Sequence, residues 1–509
     1  MTPPPDPTPA PVLPKLPTGI AGFDFIAQGG IPAGRTTLVC GTAGSAKTVF
    51  AAQFLAEGVR RYGEAGVLVT FEEAADDIRR NMESLDWPIA QWEAEGRWAF
   101  VDASPVAGDE GPIAGDFDLG GLLARIENAV HRTGATRVSL DSVATVFARF
   151  EHHATVRSEL LRITQALRTM GVTSVITAER TQEYGEIARF GVEEFVTDNV
   201  VILRNVLEDE RRRRTIEILK FRGAPHGKGE FPFTIIPGDG VVVIPLSAIE
   251  LQQHSSDVRI SSGNRELDRM CGGGFFRDSI ILVSGATGTG KTLMTAEFLN
   301  GGFAEGERCL VFAFEESREQ LMRNARGWGV DFEAAERAGL LRLNCEYPEV
   351  MGLEDHLIRM KSVIDAFGPQ RIAVDSLSAL ERISSSRGFR EFVIGLTSFV
   401  KHRQVAGLFT STTPSLLGGD SVTDAHISSI TDSIILLRYV EIFGEMRRGA
   451  TVLKMRGSMH EKQIREFMID GTGMHIGRAF SNVQGILAGR PRQVSASEID
   501  RLGTLFADE

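Results

Sequence analysis

Eight residues, Gly285-Ala286-Thr287-Gly288-Thr289-Gly290-Lys291-Thr292, carry the most specific chemistry in this chain. In a G-x-x-x-x-G-K-T loop, successive backbone N–H groups point into one hollow. The helix that follows adds the positive end of its dipole, so the loop holds phosphates. Thr287, Gly288, Thr289 and Gly290 would line that hollow, Lys291 would reach the β- and γ-phosphates, and the Thr292 hydroxyl would ligate Mg²⁺. The pattern recurs at Gly41-Thr42-Ala43-Gly44-Ser45-Ala46-Lys47-Thr48. There Gly44, Ser45 and Ala46 line the loop, and Lys47 and Thr48 stand for Lys291 and Thr292. Ala46 replaces the second glycine, which puts a methyl group either against the phosphate or at the start of the helix.

Carboxylates follow the same repeat. Asp141 and Asp375 each end an apolar, strand-like run, where an aspartate can hold Mg²⁺ or its water. An Asp-Ser pair after a strand also fits a helix N-cap; the phosphate loop nearby in both copies favours the metal role. Glu72-Glu73 and Glu315-Glu316 also follow strands, and a carboxylate beside a γ-phosphate can orient water or accept a hydroxyl proton. Two adjacent carboxylates facing one phosphate repel, so one of each pair suffices. Helix capping fits the acidic turn of a single copy equally well; recurrence of the pair with the phosphate loops favours the catalytic role. Lys220, Arg222 and His226 return as Lys454, Arg456 and His460. Strand alternation puts each Lys and Arg on one face, where they could complete a γ-phosphate site of an adjoining subunit. For Arg211–Arg214 a solvated strand face serves equally well. At the 234-residue offset shared by these late motifs, Glu194-Phe195 of the first copy faces Ser428-Ser429 of the second. Only the second copy offers hydroxyl acceptors there.

Two copies of one domain must position these groups. In the first, strand-like runs near 36–40, 66–71, 98–102, 137–141 and 173–178 alternate with helical patterns near 48–62, 121–133 and 156–170. That layout predicts an α/β fold with a mostly parallel central sheet flanked by helices. Two further strand-like runs late in each copy suggest an antiparallel extension. The expected organisation is a flexible Pro-rich arm over 1–16, an N-terminal domain over 17–247, a C-terminal domain over 248–483, and a loop and tail over 484–509.

Composition narrows the function classes. The 509 residues carry 55 Lys and Arg against 67 Asp and Glu, a net charge of −12. That balance disfavours a protein whose affinity rests on neutralising a nucleic-acid backbone. No apolar run reaches the roughly 18 residues of a membrane span, and the N-terminus lacks a signal-peptide layout. Four scattered cysteines suggest neither a zinc site nor a disulfide framework, so a cytoplasmic location is expected.

Longer runs resemble one family: KaiC, the double-domain RecA-like ATPases and autokinases of the cyanobacterial circadian clock. They include Glu208-Asp209-Glu210 with the four arginines, Cys271-Gly272-Gly273-Gly274-Phe275-Phe276, His426 through Asp432, Lys454-Met455-Arg456-Gly457-Ser458, and Ile464 through Met468. The resemblance implies two tandem RecA-like P-loop ATPase domains in a homohexamer of two stacked rings, with ATP and Mg²⁺ bound between subunits. Glu72 resembles a water-activating residue and Glu315 a base that deprotonates the acceptor, with a place at the metal. Ser428 and Ser429 match the autophosphorylated pair, and Thr423 a residue that modulates them. Ser84, Lys220, Arg222, His226, Trp328, Arg448, Lys454, Met455, Arg456, Ser458 and His460 match nucleotide-contacting stretches. Residues 484–492 match a loop that balances autokinase against autophosphatase activity.

Three departures accompany the resemblance. Ser429 stands where clock members usually carry Thr, Ala46 replaces a glycine, and the tail after 492 does not closely match the one that recruits the activator KaiA. A KaiB-type protein is the expected partner. From other classes, a RecA-like DNA-remodelling motor and a nucleotide-gated scaffold without autokinase chemistry remain alternatives; the acidic balance weighs against the first.

Overall fold

The computed structural model describes residues 13–103, 119–143, 152–191, 193–208, 211–245, 255–413, 427–481, 483–487 and 492–493. The chain divides into two compact units, Met1–Ala248 and Ile249–Glu509. Each is built on a nine-stranded sheet. In the first the strand order is Gly240–Val243, Glu230–Ile236, Arg211–Phe221, Asn199–Glu208, Thr36–Gly41, Thr173–Glu179, Arg137–Asp141, Gly66–Thr70, Trp98–Asp102. The second repeats that order with Gly473–Ala479, Arg465–Asp470, Glu445–Met455, Ser433–Ile442, Ile280–Gly285, Ala406–Thr412, Arg371–Asp375, Cys309–Ala313 and Leu341–Cys345.

Near-continuous Val, Ile and Leu in the central strands reflect burial on both faces. All six residues of Thr36–Gly41 and all six of Ile280–Gly285 are buried. Helices Lys47–Glu57 and Lys291–Ala304 follow these strands. Each is apolar around most of its circumference and packs into its unit's core, with Phe50 and Phe54 in one and Phe298 and Leu299 in the other.

Two differences from the expected layout have physical reasons. The first of the late runs, Asn199–Glu208, pairs parallel with Thr36–Gly41, and three antiparallel strands, not two, then extend the sheet. The short final strand Gly240–Val243 offers only four residues, too few for a clear period. The Pro-rich arm also ends earlier than 16. Lys15–Leu16 pair antiparallel with Ile31–Pro32, and Lys15 Nζ donates to the carbonyl oxygen of Pro225 at 2.6 Å. Proline spacing cannot reveal such a tether. Residues 1–12 lie outside the described residues. No helix among the described residues is long and apolar enough to cross a membrane.

A charge is buried at the amino end of one central strand in each unit. Arg371 is fully buried; its guanidinium donates to Glu307 Oε2 at 2.6 Å and to the carbonyl oxygens of Ser261 and Phe298 at 2.6 and 2.8 Å. Arg137 repeats the arrangement with Glu64 and the carbonyl oxygens of Pro17 and Phe54. Neither arginine stands out in sequence, because each sits in an otherwise apolar strand without a motif.

Candidate nucleotide and phosphoacceptor sites

Both glycine-rich loops lie at the carboxyl ends of parallel strands, where α/β sheets bind ligands. Lys291 Nζ donates to the carbonyl oxygens of Gly285 and Ala286 at 2.9 and 3.0 Å, and Lys47 Nζ to that of Thr42 at 2.9 Å. Each ammonium thus lies over its own loop. Burial pushes both lysines below the ordinary lysine range, opposed by the neighbouring carboxylates. The Ser45 and Thr289 hydroxyls bond the carbonyls of Thr42 and Ala286 and tie the loops. Thr287 and Gly288 lie in the second loop, with Gly288 at φ +81°.

Position 46 separates the two loops. Gly290 has φ +109°, and a methyl added there would meet Ile469 Cδ1 at 3.0 Å and Met474 Cε at 3.4 Å, side chains of the late strands. Ala46 takes φ +72° at the matching helix cap and packs on its unit's core. Its methyl is therefore held at the helix start. A left-handed alanine costs roughly 1–2 kcal/mol, and glycine's extra unfolded freedom offsets about 0.4–1 kcal/mol of any relief. Ala46→Gly is expected to leave stability equal or up to about 1.6 kcal/mol higher by urea denaturation; a clear loss contradicts this assignment.

Asp141 and Asp375 sit one strand away from their loops. The intervening strand supplies a threonine to each: Thr177 to Asp141, and Thr410 Oγ1 to Asp375 Oδ1 at 2.5 Å. Thr48 and Thr292 donate from the other side. Burial pushes both carboxyls above the ordinary aspartate range, the hydroxyl bonds and loop lysines pulling the other way. Buried carboxylate plus hydroxyl is a hard oxygen set, and it fits Mg²⁺. The peptides Asp141–Ser142 and Asp375–Ser376 are both cis. Thr177 and Thr410 went unnoticed in sequence; their recurrence 233 positions apart was the available signal.

The glutamate pairs begin beside these aspartates, since Phe71 and Phe314 N–H groups donate to the carbonyl oxygens of Asp141 and Asp375. Glu315 accepts from Ser376 Oγ and from Arg382 Nη2, both at 2.9 Å. Glu316 and Glu73 are raised by burial, with Asp375 and Asp141 adding to it. By surface area Glu72, Glu73 and Glu315 are exposed and Glu316 is half-buried.

Lys454 and Arg456 are used within their own unit. Lys454 Nζ donates to the carbonyl oxygens of Ser428 and Thr431, both at 2.7 Å, and Arg456 Nη2 to that of Ser429 at 2.7 Å. The first unit makes the same clasp: Lys220 on Glu194 and Thr197 at 2.6 and 2.9 Å, Arg222 on Phe195 at 3.3 Å. Ser428 and Ser429 form part of the short turn Ile427–Ser429, with Ser429 exposed.

The remaining expected nucleotide contacts scatter over nearby elements. Ser84 caps helix Ala75–Glu83 and donates to the Asn81 carbonyl; Trp328 caps Arg318–Gly327. His226 bonds the Gly227 carbonyl oxygen, and Arg448 packs over Tyr439. Met455 ends its strand in the core, Ser458 accepts from Arg259, and His460 is half-buried. Thr423, His426, Asp209, Glu210 and 494–509 lie outside the described residues. Of the 484–492 loop, only 484–487 and 492 are described; Val483–Gln484 pair with Arg492–Gln493 and bring its ends together.

A glycine-rich phosphate loop, an aspartate one strand away and a paired glutamate, built twice on parallel sheets, define a tandem RecA-like P-loop ATPase. Residues 16–248 and 260–480 each match the KaiC ATPase family. The chain belongs to that family. It is 66% identical over 495 residues to the circadian clock protein KaiC3 of Synechocystis sp., covering 97% of this chain and 98% of that protein. It is 54% identical to the circadian clock oscillator protein KaiC of Thermostichus vulcanus over 491 residues, 96% of this chain and 94% of the relative. The same identity holds over 492 residues for KaiC of Synechococcus elongatus, again 96% and 94%. Membership carries ATP use with it.

Proposed function

We propose that this chain is an ATP-dependent serine autokinase, autophosphatase and ATPase that assembles as a homohexamer and serves as a circadian or timing regulator in the cytoplasm. In this reading residues 17–247 form the ATPase domain, 248–483 the autokinase domain and 484–509 the regulatory loop and tail. The observation that carries it is the twice-built clasp. The backbone at 428–431 is held as the backbone at 194–197 is, yet at the first two positions only the later copy carries hydroxyls, Ser428 and Ser429 against Glu194 and Phe195.

Lys47 and Lys291 bind the triphosphate, and the loop amides neutralise the charge that spreads over its terminal oxygens. Mg²⁺ on Thr48 or Thr292, backed by Asp141 or Asp375, would supply further neutralisation. In the first unit Glu72 or Glu73 orients water. In the second, Ser428 or Ser429 Oγ attacks the γ-phosphorus of an adjoining subunit's ATP. The bond to the ADP oxygen breaks, and Glu315 or Glu316 takes the hydroxyl proton. Reversal returns the phosphoryl group to ADP. A KaiB-like protein is the partner the family relationship favours; recruitment of a KaiA-like activator is not part of the proposal.

Intact-mass measurement after incubation with ATP tests the reading. Wild type is expected to gain phosphate, and Ser428→Ala/Ser429→Ala to gain none. An active ATPase whose wild type takes up no phosphate overturns the autokinase assignment.

A further inference from the structure

A buried cation without a counter-charge stands beside the second phosphate loop. Arg438 lies in strand Ser433–Ile442, one residue past Leu437, which pairs with Gly285 at the start of the loop. The residue is 5% exposed, and its Nε and Nη1 make no hydrogen bond. Across the sheet it pairs with Gly449, which offers no side chain, and Gly449 pairs with Glu466. That glutamate lies 3.5 Å from Arg447 Nη1. Burial pulls the Arg438 guanidinium below the ordinary arginine range, and no neighbouring charge among the described residues opposes it.

The first unit shows what this position is built to meet. Arg204 occupies it at the 234-residue offset and is buried in the same way. Its Nη2 donates to Glu217 Oε2 at 2.6 Å, Glu230 Oε1 lies 3.7 Å from Nη1, and the Tyr184 ring centre lies 5.3 Å from Cζ. Nε and Nη1 lack hydrogen bonds here too, but the charge is paired. At the same offset Glu217 becomes Thr451 and Glu230 becomes Ile464. The second unit therefore carries the buried guanidinium without either carboxylate. An uncompensated buried charge is costly, and arginine cannot shed its proton to escape that cost as a buried lysine does.

We propose that Arg438 is the centre of a carboxylate-binding site whose ligand comes from outside its own sheet, as a free carboxylate ion or as an acidic side chain of a second copy of this chain. The planar guanidinium fork takes a carboxylate in two parallel hydrogen bonds, and the matching arginine of the first unit already takes one from Glu217. The inference stands apart from the autokinase reading, since it asks nothing of Ser428 or Ser429.

Urea unfolding of the full chain in sodium acetate, against sodium chloride at equal ionic strength, tests it. The second unit's transition should move to higher urea as acetate rises. The shift should reach a factor of about 10 in the unfolding equilibrium once acetate stands about ten-fold above its Kd. Arg438→Met replaces the charge with an apolar side chain of similar length, so it should fold and lose the acetate response. Thr451→Glu should lose it too, because it supplies the carboxylate from within as Glu217 does in the first unit. Sedimentation with ATP separates the two sources. An acetate response with Arg438→Met assembling as wild type does identifies a free carboxylate. Assembly of Arg438→Met weakened by at least about 10-fold identifies a side chain of a second copy. An acetate response that survives in either variant overturns the inference. So do stability that ignores acetate and assembly that ignores Arg438→Met, found together, whether or not the serines take up phosphate.

Discussion

Lys291→Ala is expected to lower phosphate incorporation at Ser428 and Ser429 by about 10²-fold or more, the cost of deleting one preorganised electrostatic partner of a developing charge. The lysine is almost wholly buried over its loop, bonded to the carbonyl oxygens of Gly285 and Ala286, so no solvated side chain stands ready to replace it. Its loss also strips the positive neighbour from Asp375, whose carboxyl burial already pushes upward. ADP release by the first unit should continue, because Lys47 serves a separate loop on a separate sheet. The mirror variant, Lys47→Ala, should cut ADP release and spare phosphate uptake. Intact mass and a coupled ADP assay on the same samples read both. If Lys291→Ala leaves phosphate uptake intact, the second loop does not supply the phosphoryl donor.

Arg371→Ala is expected to destabilise the second unit by about 3–5 kcal/mol, the usual cost of removing one partner of a buried ion pair. Three acceptors lose their donor at once: Glu307 and the carbonyl oxygens of Ser261 and Phe298. Scanning calorimetry should show one transition moving down while the other stays. The loss should depend on pH. Burial alone would raise the Glu307 carboxyl, but hydrogen bonds from Arg371 and Arg277 outweigh it and leave it below the ordinary glutamate range. A depressed carboxyl contributes stability above its unfolded value, near 4.3, and loses it as pH falls through the folded value. The difference between wild type and Arg371→Ala should therefore shrink in acid. Replacing the pair together, as Arg371→Met/Glu307→Leu, should recover much of the loss, since no unpaired charge remains buried.

Much of this is legible in the sequence. Loop spacing located Lys47 and Lys291, and apolar runs located Asp141 and Asp375, because each signal is local in the chain. The repeat then fixed two copies of one α/β unit. What stayed hidden depends on strand order. Thr410 can reach Asp375 only because Ala406–Thr412 lies beside Arg371–Asp375 in the sheet. Lys454 meets the Ser428 carbonyl because Glu445–Met455 folds back along Ser433–Ile442. Alternation placed Lys454 and Arg456 on one face and suggested cations aimed at a neighbour; both turn out to donate within their own unit.

The carbonyl clasp has an evolutionary corollary. Since Lys220 and Arg222 cradle positions 194–197 as Lys454 and Arg456 cradle 428–431, the scaffold of a modification site is independent of its chemistry. The repeat holds two matching sockets, and under the proposed autokinase function the two side chains at 428 and 429 decide which unit takes up phosphate. On that proposal, Glu194→Ser with Phe195→Ser is expected to offer the first unit the same acceptor hydroxyls on carbonyls that Lys220 and Arg222 already hold.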